Sequence, residues 1–305
     1  MDPFGQVAEL LRPRALHRCN HMQGRGNWAV RFPDETNVVF GLVAAGSCFV
    51  DLPGSEPRPL AIGDFLLMNA PRAWVLRNGA LVAPVDFESA YSGSPDSIIS
   101  FGESHGGNLT RVISGYFTFD TANADLLTDL LPPVVVVGSD NDAAGRLSSL
   151  LRLIDDEVSC DRPAQQLMLG RLLEAMLLEA LRTQVSKVDL ARTGLLEGLA
   201  DPKIALALHA LHADVRRNWT VEALATCAGM SRSAFAERFG ERVGVTPIEY
   251  LLNWRMALAK NALRFSNHSL SEIAFTIGYR SSSAFSTAFS RVVGCPPGQY
   301  ATKRR

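Results

Sequence analysis

Cysteine is scarce and scattered in this chain. The five present, Cys19, Cys48, Cys160, Cys227 and Cys295, are far apart, odd in number and never spaced C-x-x-C. That pattern excludes a disulfide framework and a zinc knuckle, and it fits reduced thiols. There is no charged leader followed by an apolar core, and no apolar run approaches membrane-spanning length. A cytoplasmic location without membrane contact is therefore expected. Catalytic signatures are missing too: G-x-S-x-G, a phosphate loop, H-E-x-x-H and a G-x-G-x-x-G after a strand are all absent. No catalytic residue, no metal and no cofactor is expected, and the chain reads as a non-enzyme.

What is present is an ordinary globular composition, 47% hydrophobic and 20% charged over 305 residues, long enough for two domains. The net charge of -1 hides a split. From Asp201 to Arg305 fourteen Lys and Arg face seven Asp and Glu, whereas Met1 to Ala200 has sixteen against twenty-four. The basic stretch also repeats itself. Phe235, Phe239, Val243-Gly244, Pro247 and Tyr250 recur fifty residues later as Phe285, Phe289, Val293-Gly294, Pro297 and Tyr300. Gly229 and Gly278 are one residue closer, so the second copy has an extra residue in its turn.

Each copy predicts a helix, a tight turn and a second helix. Thr220 can cap the first helix of copy one, and Ser269 with Glu272 makes a capping box for that of copy two. Gly229 or Gly278 ends that helix, and Ser231, or Ser281 or Ser282, caps the next. Phe235 and Phe239, like Phe285 and Phe289, sit four apart on one buried face. The opposite face is small or charged: Arg232, Ser233, Ala236 and Glu237 in copy one, and Ser282, Ser283, Ser286 and Thr287 in copy two. Such a helix fits a major groove and hydrogen-bonds base edges. Arg232, Arg238, Arg242 and Arg291 are expected mainly on phosphates, and the basic balance is the footprint of a double-stranded DNA partner. Between the copies a long helix is predicted from Thr246 to Phe265, with Tyr250, Leu251, Trp254, Leu258 and Phe265 packed inward. Another, capped by Asp201, is predicted over Lys203 to Ala213, with His209 and His212 on its surface.

Residues Asp201 to Tyr300 resemble the AraC/XylS-type transcription regulators. The likeness lies in the paired helix-turn-helix units, the linking helix with W-R-M-x-L-A, the I-G-Y and the closing P-P-G-x-Y. The resemblance implies a DNA-binding transcription regulator, ligand- or stress-responsive through its N-terminal half, with a homodimer, RNA polymerase and an unknown small-molecule effector as partners. Two other readings stay open: a DNA-repair or enzymatic protein using this module, and a constitutive architectural DNA binder.

The N-terminal half has another texture. Asp2-Pro3 starts a short helix carrying Phe4, Val7, Leu10 and Leu11. Short apolar runs at Trp28 to Phe32, Val38 to Val43, Ser47 to Leu52, Phe65 to Met68, Trp74 to Leu76 and Val112 to Phe119 predict a sandwich or barrel. The stretch Tyr91 to Gly107 reads as an exposed, mobile loop. Gly46-Ser47-Cys48-Phe49 and the run Gly63 to Pro71 resemble the cupin-like sensor domain of some AraC-type regulators. That likeness would place metal-binding imidazoles near Gly41 and at Trp74, where glycine and tryptophan stand instead. After Pro133 two helical stripes follow, Leu147, Leu150, Leu151 and Ile154, then Leu169, Leu172, Leu173, Met176, Leu177 and Leu181; they serve as core or as a dimer seam. His17, Cys19 and His21 share one face if Ala15 to Met22 is a strand. They read either as a thiol sensor or partial metal site, or as a solvated histidine pair beside a half-buried thiol. Cys48 reads as core.

The expected architecture is an α+β chain. A cupin-like β-barrel or sandwich occupies residues 1–130, a helical dimerisation arm 131–190 and a linker 191–200. An all-α DNA-binding domain with two helix-turn-helix units occupies 201–305.

Overall fold

The computed structural model describes residues 2–17, 21–79, 82–90, 98–103, 106–119, 133–138, 144–160, 162–185 and 193–302. The chain divides into two compact units. One comprises Pro13–Thr118 and Leu131–Thr183; the other joins Met1–Arg12, Phe119–Leu130 and Gln184–Arg305.

The first unit is built on two sheets. Its strands are β1 (Arg14–His17), β2 (His21–Arg25), β3 (Trp28–Phe32), β4 (Val38–Ala45), β5 (Ser47–Asp51), β6 (Arg58–Ala61), β7 (Phe65–Asn69), β8 (Trp74–Asn78), β9 (Val85–Asp86), β10 (Ile98–Gly102), β11 (Leu109–Thr118) and β12 (Val134–Val137). One sheet has the order β10-β2-β11-β4-β7-β12, with β1 also paired to β11, and the other β6-β5-β8-β3-β9. Inward-facing side chains of both, among them Met22, Val30, Val43, Val50, Leu66, Leu76 and Val112, form one core. Strand β4 is apolar along its length because it is covered on both faces. Val39 and Val43 enter the shared core, while Phe40 on the other face packs against Phe117, with ring centroids 5.0 Å apart. Helices α3 (Ala144–Ser159) and α4 (Gln165–Val185) lie against this sheet: Arg111 of β11 pairs with Asp155 at 3.2 Å, and a Cβ on Gly170 would be 3.9 Å from the Ala15 carbonyl oxygen. In the predicted stripes Leu147, Ile154, Leu169, Leu173, Met176, Leu177 and Leu181 are buried.

One expectation for this unit needs correction. The stretch Tyr91 to Gly107 is not all loop, because β10 pairs in parallel with β2 and turns Ile99 and Phe101 into the core. The alternation in Ile-Ile-Ser-Phe-Gly was obscured by the Ser, Gly and Pro around it. The expected strand Ala15 to Met22 lies partly outside the described residues, which carry β1 as far as His17 and β2 from His21. Both pair with β11, His17 opposite Gly115 and Met22 opposite Val112. At the expected metal-ligand position Trp74, 2% exposed, stacks on Phe32 at 4.0 Å, and Phe32 stacks in turn on Phe87 of the short helix α2 (Phe87–Ala90) at 4.9 Å.

The second unit is helical: α1 (Pro3–Leu11), α5 (Leu195–Ala200), α6 (Pro202–Ala213), α7 (Val221–Cys227), α8 (Arg232–Val243), α9 (Pro247–Phe265), α10 (Leu270–Thr276), α11 (Ser282–Val293) and α12 (Pro297–Thr302). The caps are as the sequence predicts. Asp2, Asp201, Thr220, Thr246 and Ser269 each accept from backbone N–H groups one turn on, and Ser269 with Glu272 completes the capping box. The N-terminal helix α1 packs here, with Val7 and Leu10 buried. Helix α9 is the spine of the unit: Leu251, Trp254, Met256, Ala257 and Ala259 are buried along it, and Met256 and Ala259 join the core of α10 and α11. Phe265, expected in that stripe, is 49% exposed, and the Arg12 guanidinium covers its ring at 3.7 Å.

Candidate nucleic-acid interface

The fifty-residue repeat is a repeat in space. In α8 the rings of Phe235 and Phe239 lie 5.6 Å apart, and Tyr250 meets Phe239 edge-on at 5.9 Å. In α11 the matching distances are 5.5 Å for Phe285 and Phe289 and 5.5 Å for Phe289 and Tyr300. All four phenylalanines are fully buried, which turns the opposite face of each helix outward. The turns before them use Gly229 at φ 62° and Gly278 at φ 90°, the left-handed region that a side chain disfavours. Ser231 then caps α8 through the Ala234 N–H at 3.4 Å, and Ser281 caps α11 through the Ala284 N–H at 3.2 Å. The extra residue lies between Gly278 and Ser281. It lets Tyr279 reach the edge of Phe285 at 5.8 Å and leaves Arg280 exposed immediately before the helix.

The outward faces carry the residues picked from sequence. On α8, Arg232, Ser233 and Glu237 are exposed and Ala236 is half-buried. On α11, Ser283 and Thr287 are exposed, while Ser282 and Ser286 are half-buried. Their hydroxyls are partly committed. Thr287 Oγ1 donates to the Ser283 carbonyl at 3.1 Å, so this side chain presents a methyl group and an acceptor outward. Ser283 and Ser281 hydroxyls share a hydrogen bond at 3.1 Å. Glu237, Arg232, Arg280 and Arg291 make no ion pair among the described residues. Arg280 was not singled out from sequence, since its position has no counterpart in the first copy; the one-residue offset between the glycines was the available signal.

Arg238 and Arg242, expected on phosphates, are turned to another task. Arg238 Nε donates to Asp201 Oδ2 at 2.7 Å, and Arg242 Nε lies 3.6 Å from the same oxygen. Asp201 is 3% exposed and caps α6 with its other oxygen, accepting from Lys203 and Ile204 N–H at 3.0 and 3.2 Å. Burial alone would raise its carboxyl, but the hydrogen bonds from Arg238, Ile204 and Lys203 outweigh it and hold the group below the ordinary carboxylate range. These two guanidiniums therefore fasten α8 to the start of α6.

His212 is likewise not a surface residue. It is 3% exposed, while His209 is on the surface. Its Nδ1 is 2.9 Å from Gln6 Oε1 and its Nε2 2.8 Å from Tyr250 Oη. The glutamine oxygen can only accept, so Nδ1 carries the proton and Nε2 accepts from the tyrosine hydroxyl. The ring packs on Trp254 at 4.4 Å. Burial, then the neighbouring His209, pushes its pKa down to about 3.

The other candidates fall in the first unit. Cys19 lies outside the described residues, and of His17 and His21 only the backbone is described, on β1 and β2. Among the described residues no group of three or more His, Cys, Asp or Glu could hold a metal ion. Cys48 is 2% exposed in the sheet core, and burial, then Asp64, pushes its thiol up to about 12. No helix among the described residues is long and apolar enough to cross a membrane.

Comparison with known proteins agrees with this geometry. A family model described as Cupin matches residues 2–186, and one described as Helix-turn-helix domain matches residues 224–303. An AraC-like transcription regulator of Streptomyces lividans is 41% identical over 301 residues, spanning 98% of this chain and 98% of its own. A second, from Streptomyces antibioticus, is 38% identical over 301 residues with the same coverage. Among solved structures, the DNA-binding domain of the global transcriptional factor AdpA in complex with a target DNA is 32% identical. It covers 34% of this chain and 92% of that one, with a TM-score of 0.32. By its full-length identity to these regulators and its two matched domains, the chain belongs to the AraC-type transcription regulators, with a cupin N-terminal domain and a helix-turn-helix DNA-binding domain.

Proposed function

We propose that this regulator reads two short boxes on one face of the duplex, with α8 and α11 entering successive major-groove segments about 34 Å apart. The observation that carries this reading is the matched pair of helices, each with its aromatic face buried and its capped N-terminal end and polar face free. Ser233 and Glu237, beside Ala236, read the first box, and Glu237 can accept from a cytosine amino group. Ser282, Ser283, Ser286 and Thr287 read the second. Arg232, Arg280 and Arg291 serve phosphates, whereas Arg238 and Arg242 are held by Asp201. The protein acts as a cytoplasmic homodimer that answers a small-molecule effector and meets RNA polymerase at the promoter. Near Phe32, Val39, Trp74 and Tyr116 the cupin domain holds a cavity of about 20 Å³, space for one water. An effector entering there has to displace side chains.

Selection of bound sequences from a random DNA pool, repeated with variants, tests the readout. Glu237→Ala should relax preference at one base pair of the first box by about 1–3 kcal/mol. Arg291→Ala should weaken every sequence alike and flatten the salt dependence by about one unit of slope. A single short protected patch per subunit in footprinting, or an even loss across all positions for Glu237→Ala, would overturn the two-box reading.

A further inference from the structure

Helix α9 joins the two helix-turn-helix units, and Arg255 supplies a second strut between them. From the middle of α9 it donates through Nε and Nη2 to the Val215 carbonyl oxygen, at 3.1 and 2.8 Å. The same Nη2 donates to the Arg217 carbonyl oxygen at 3.0 Å. Those carbonyls belong to the segment between α6 and α7, the lead-in to the first unit. Trp219, 5% exposed, holds that segment by donating Nε1 to the Asp214 carbonyl oxygen at 2.8 Å.

The other side of the guanidinium faces the second unit. A Cβ on Gly278, in the turn between α10 and α11, would fall 2.6 Å from Arg255 Nη2 and 2.8 Å from the Arg216 carbonyl oxygen. The Tyr279 ring centre stands 5.8 Å from the guanidinium carbon. Arg216 crosses the same gap, its own guanidinium lying 4.4 Å over the Phe275 ring of α10. One side chain thus touches the entry to the first unit and the turn of the second.

We infer that Arg255 is a positioning residue for DNA reading: by locking the lead-in of α7 to the turn before α11, it sets the distance and phase at which α8 and α11 meet the duplex. Helix α9 by itself joins the units through apolar packing, which has no preferred direction of slip. The planar guanidinium supplies what packing lacks. Its donors are fixed in one fork, so holding the Val215 and Arg217 carbonyls fixes orientation as well as distance, and a lysine ammonium, a rotatable point donor, does not replace it. Arg255 does not read a base or hold a phosphate in this account. The inference rests on the two-box reading and adds what determines the box spacing.

The test uses full-length protein and the best site selected from a randomised pool, rebuilt with one base pair added to or removed from between the boxes. One base pair turns the second box by about 35° and shifts it by about 3.4 Å. Wild type should lose about tenfold or more in affinity at either altered spacing, the cost of a mismatched contact. Arg255→Met keeps the apolar stem without donors, and Arg255→Lys keeps the charge without the fork. In both, discrimination between native and altered spacings should shrink by about tenfold, with base preference inside each box unchanged. Variants that keep the wild-type spacing profile, or lose affinity by the same factor at every spacing, overturn the inference. If wild type itself is indifferent to spacing, the two-box reading fails, an outcome distinguishable from failure of Arg255 alone.

Discussion

His212 shows how far one side chain can depart from its sequence context. Three residues from an exposed histidine on the same helix, it is enclosed by Gln6, Tyr250 and Trp254. Its folded pKa of about 3 lies below the unfolded value near 6.5. Between those values the unfolded chain holds the proton and the folded one does not. Its contribution to stability is therefore complete above about pH 6.5 and is lost as pH falls toward 3, at of order 1 kcal/mol per pH unit. Denaturant melts of wild type between pH 7 and pH 4 should show this slope, and His212→Gln, which keeps a donor and an acceptor, should flatten it. An unchanged slope would mean the imidazole is protonated in the folded protein. The partner that buries this ring is 206 residues away, so no local pattern could have announced it. Asp201 was legible as a helix cap because the N–H groups that donate to it are two and three residues on. Its hold on Arg238 was not, because that contact spans 37 residues.

Elements were legible where their signals are local. Caps, glycines and phenylalanines four apart lie within one helical turn of what they determine, and the second copy of the pattern served as an independent reading of the first. Strand β10 was missed because it is short and its alternation makes sense only against its neighbour in the sheet. Glycines within α8 and after α11 separate two physical effects. Gly240 lies inside α8 with nothing within 4 Å of an added Cβ, and its only cost there is helix propensity. Gly294 has equal space but a φ of 81°, as the left-handed C-cap whose N–H bonds the Ser290 carbonyl. Gly240→Ala should stabilise the helical unit by about 0.5–1 kcal/mol, and Gly294→Ala should destabilise it by about 1 kcal/mol. Thermal melts of the two variants check the opposite signs.

At the scale of the whole molecule, the helical arm leaves an apolar surface unexplained by the monomer. The stripes read from sequence go largely into the core, yet Leu153 of α3 and Leu167 and Met168 of α4 are 53%, 62% and 51% exposed. A homodimer seam there predicts that Leu153→Glu combined with Leu167→Glu shifts the full-length protein toward monomer in sedimentation, with the thermal midpoint of the monomer unchanged. Dimers that persist at the wild-type concentration dependence would place the seam elsewhere. Another consequence of the architecture concerns time. Helix α1 belongs with the helical unit, but roughly 180 residues of cupin domain and arm separate it from α5. At a synthesis rate of about 5–20 residues per second, the ribosome delivers α1 about 10–40 s before its partners exist. The cupin sheets can close in that interval. The DNA-binding unit cannot complete until the ends of the chain meet, so a nascent or C-terminally truncated regulator carries Val7 and Leu10 as an exposed apolar tail, the kind of surface that chaperones and proteases monitor.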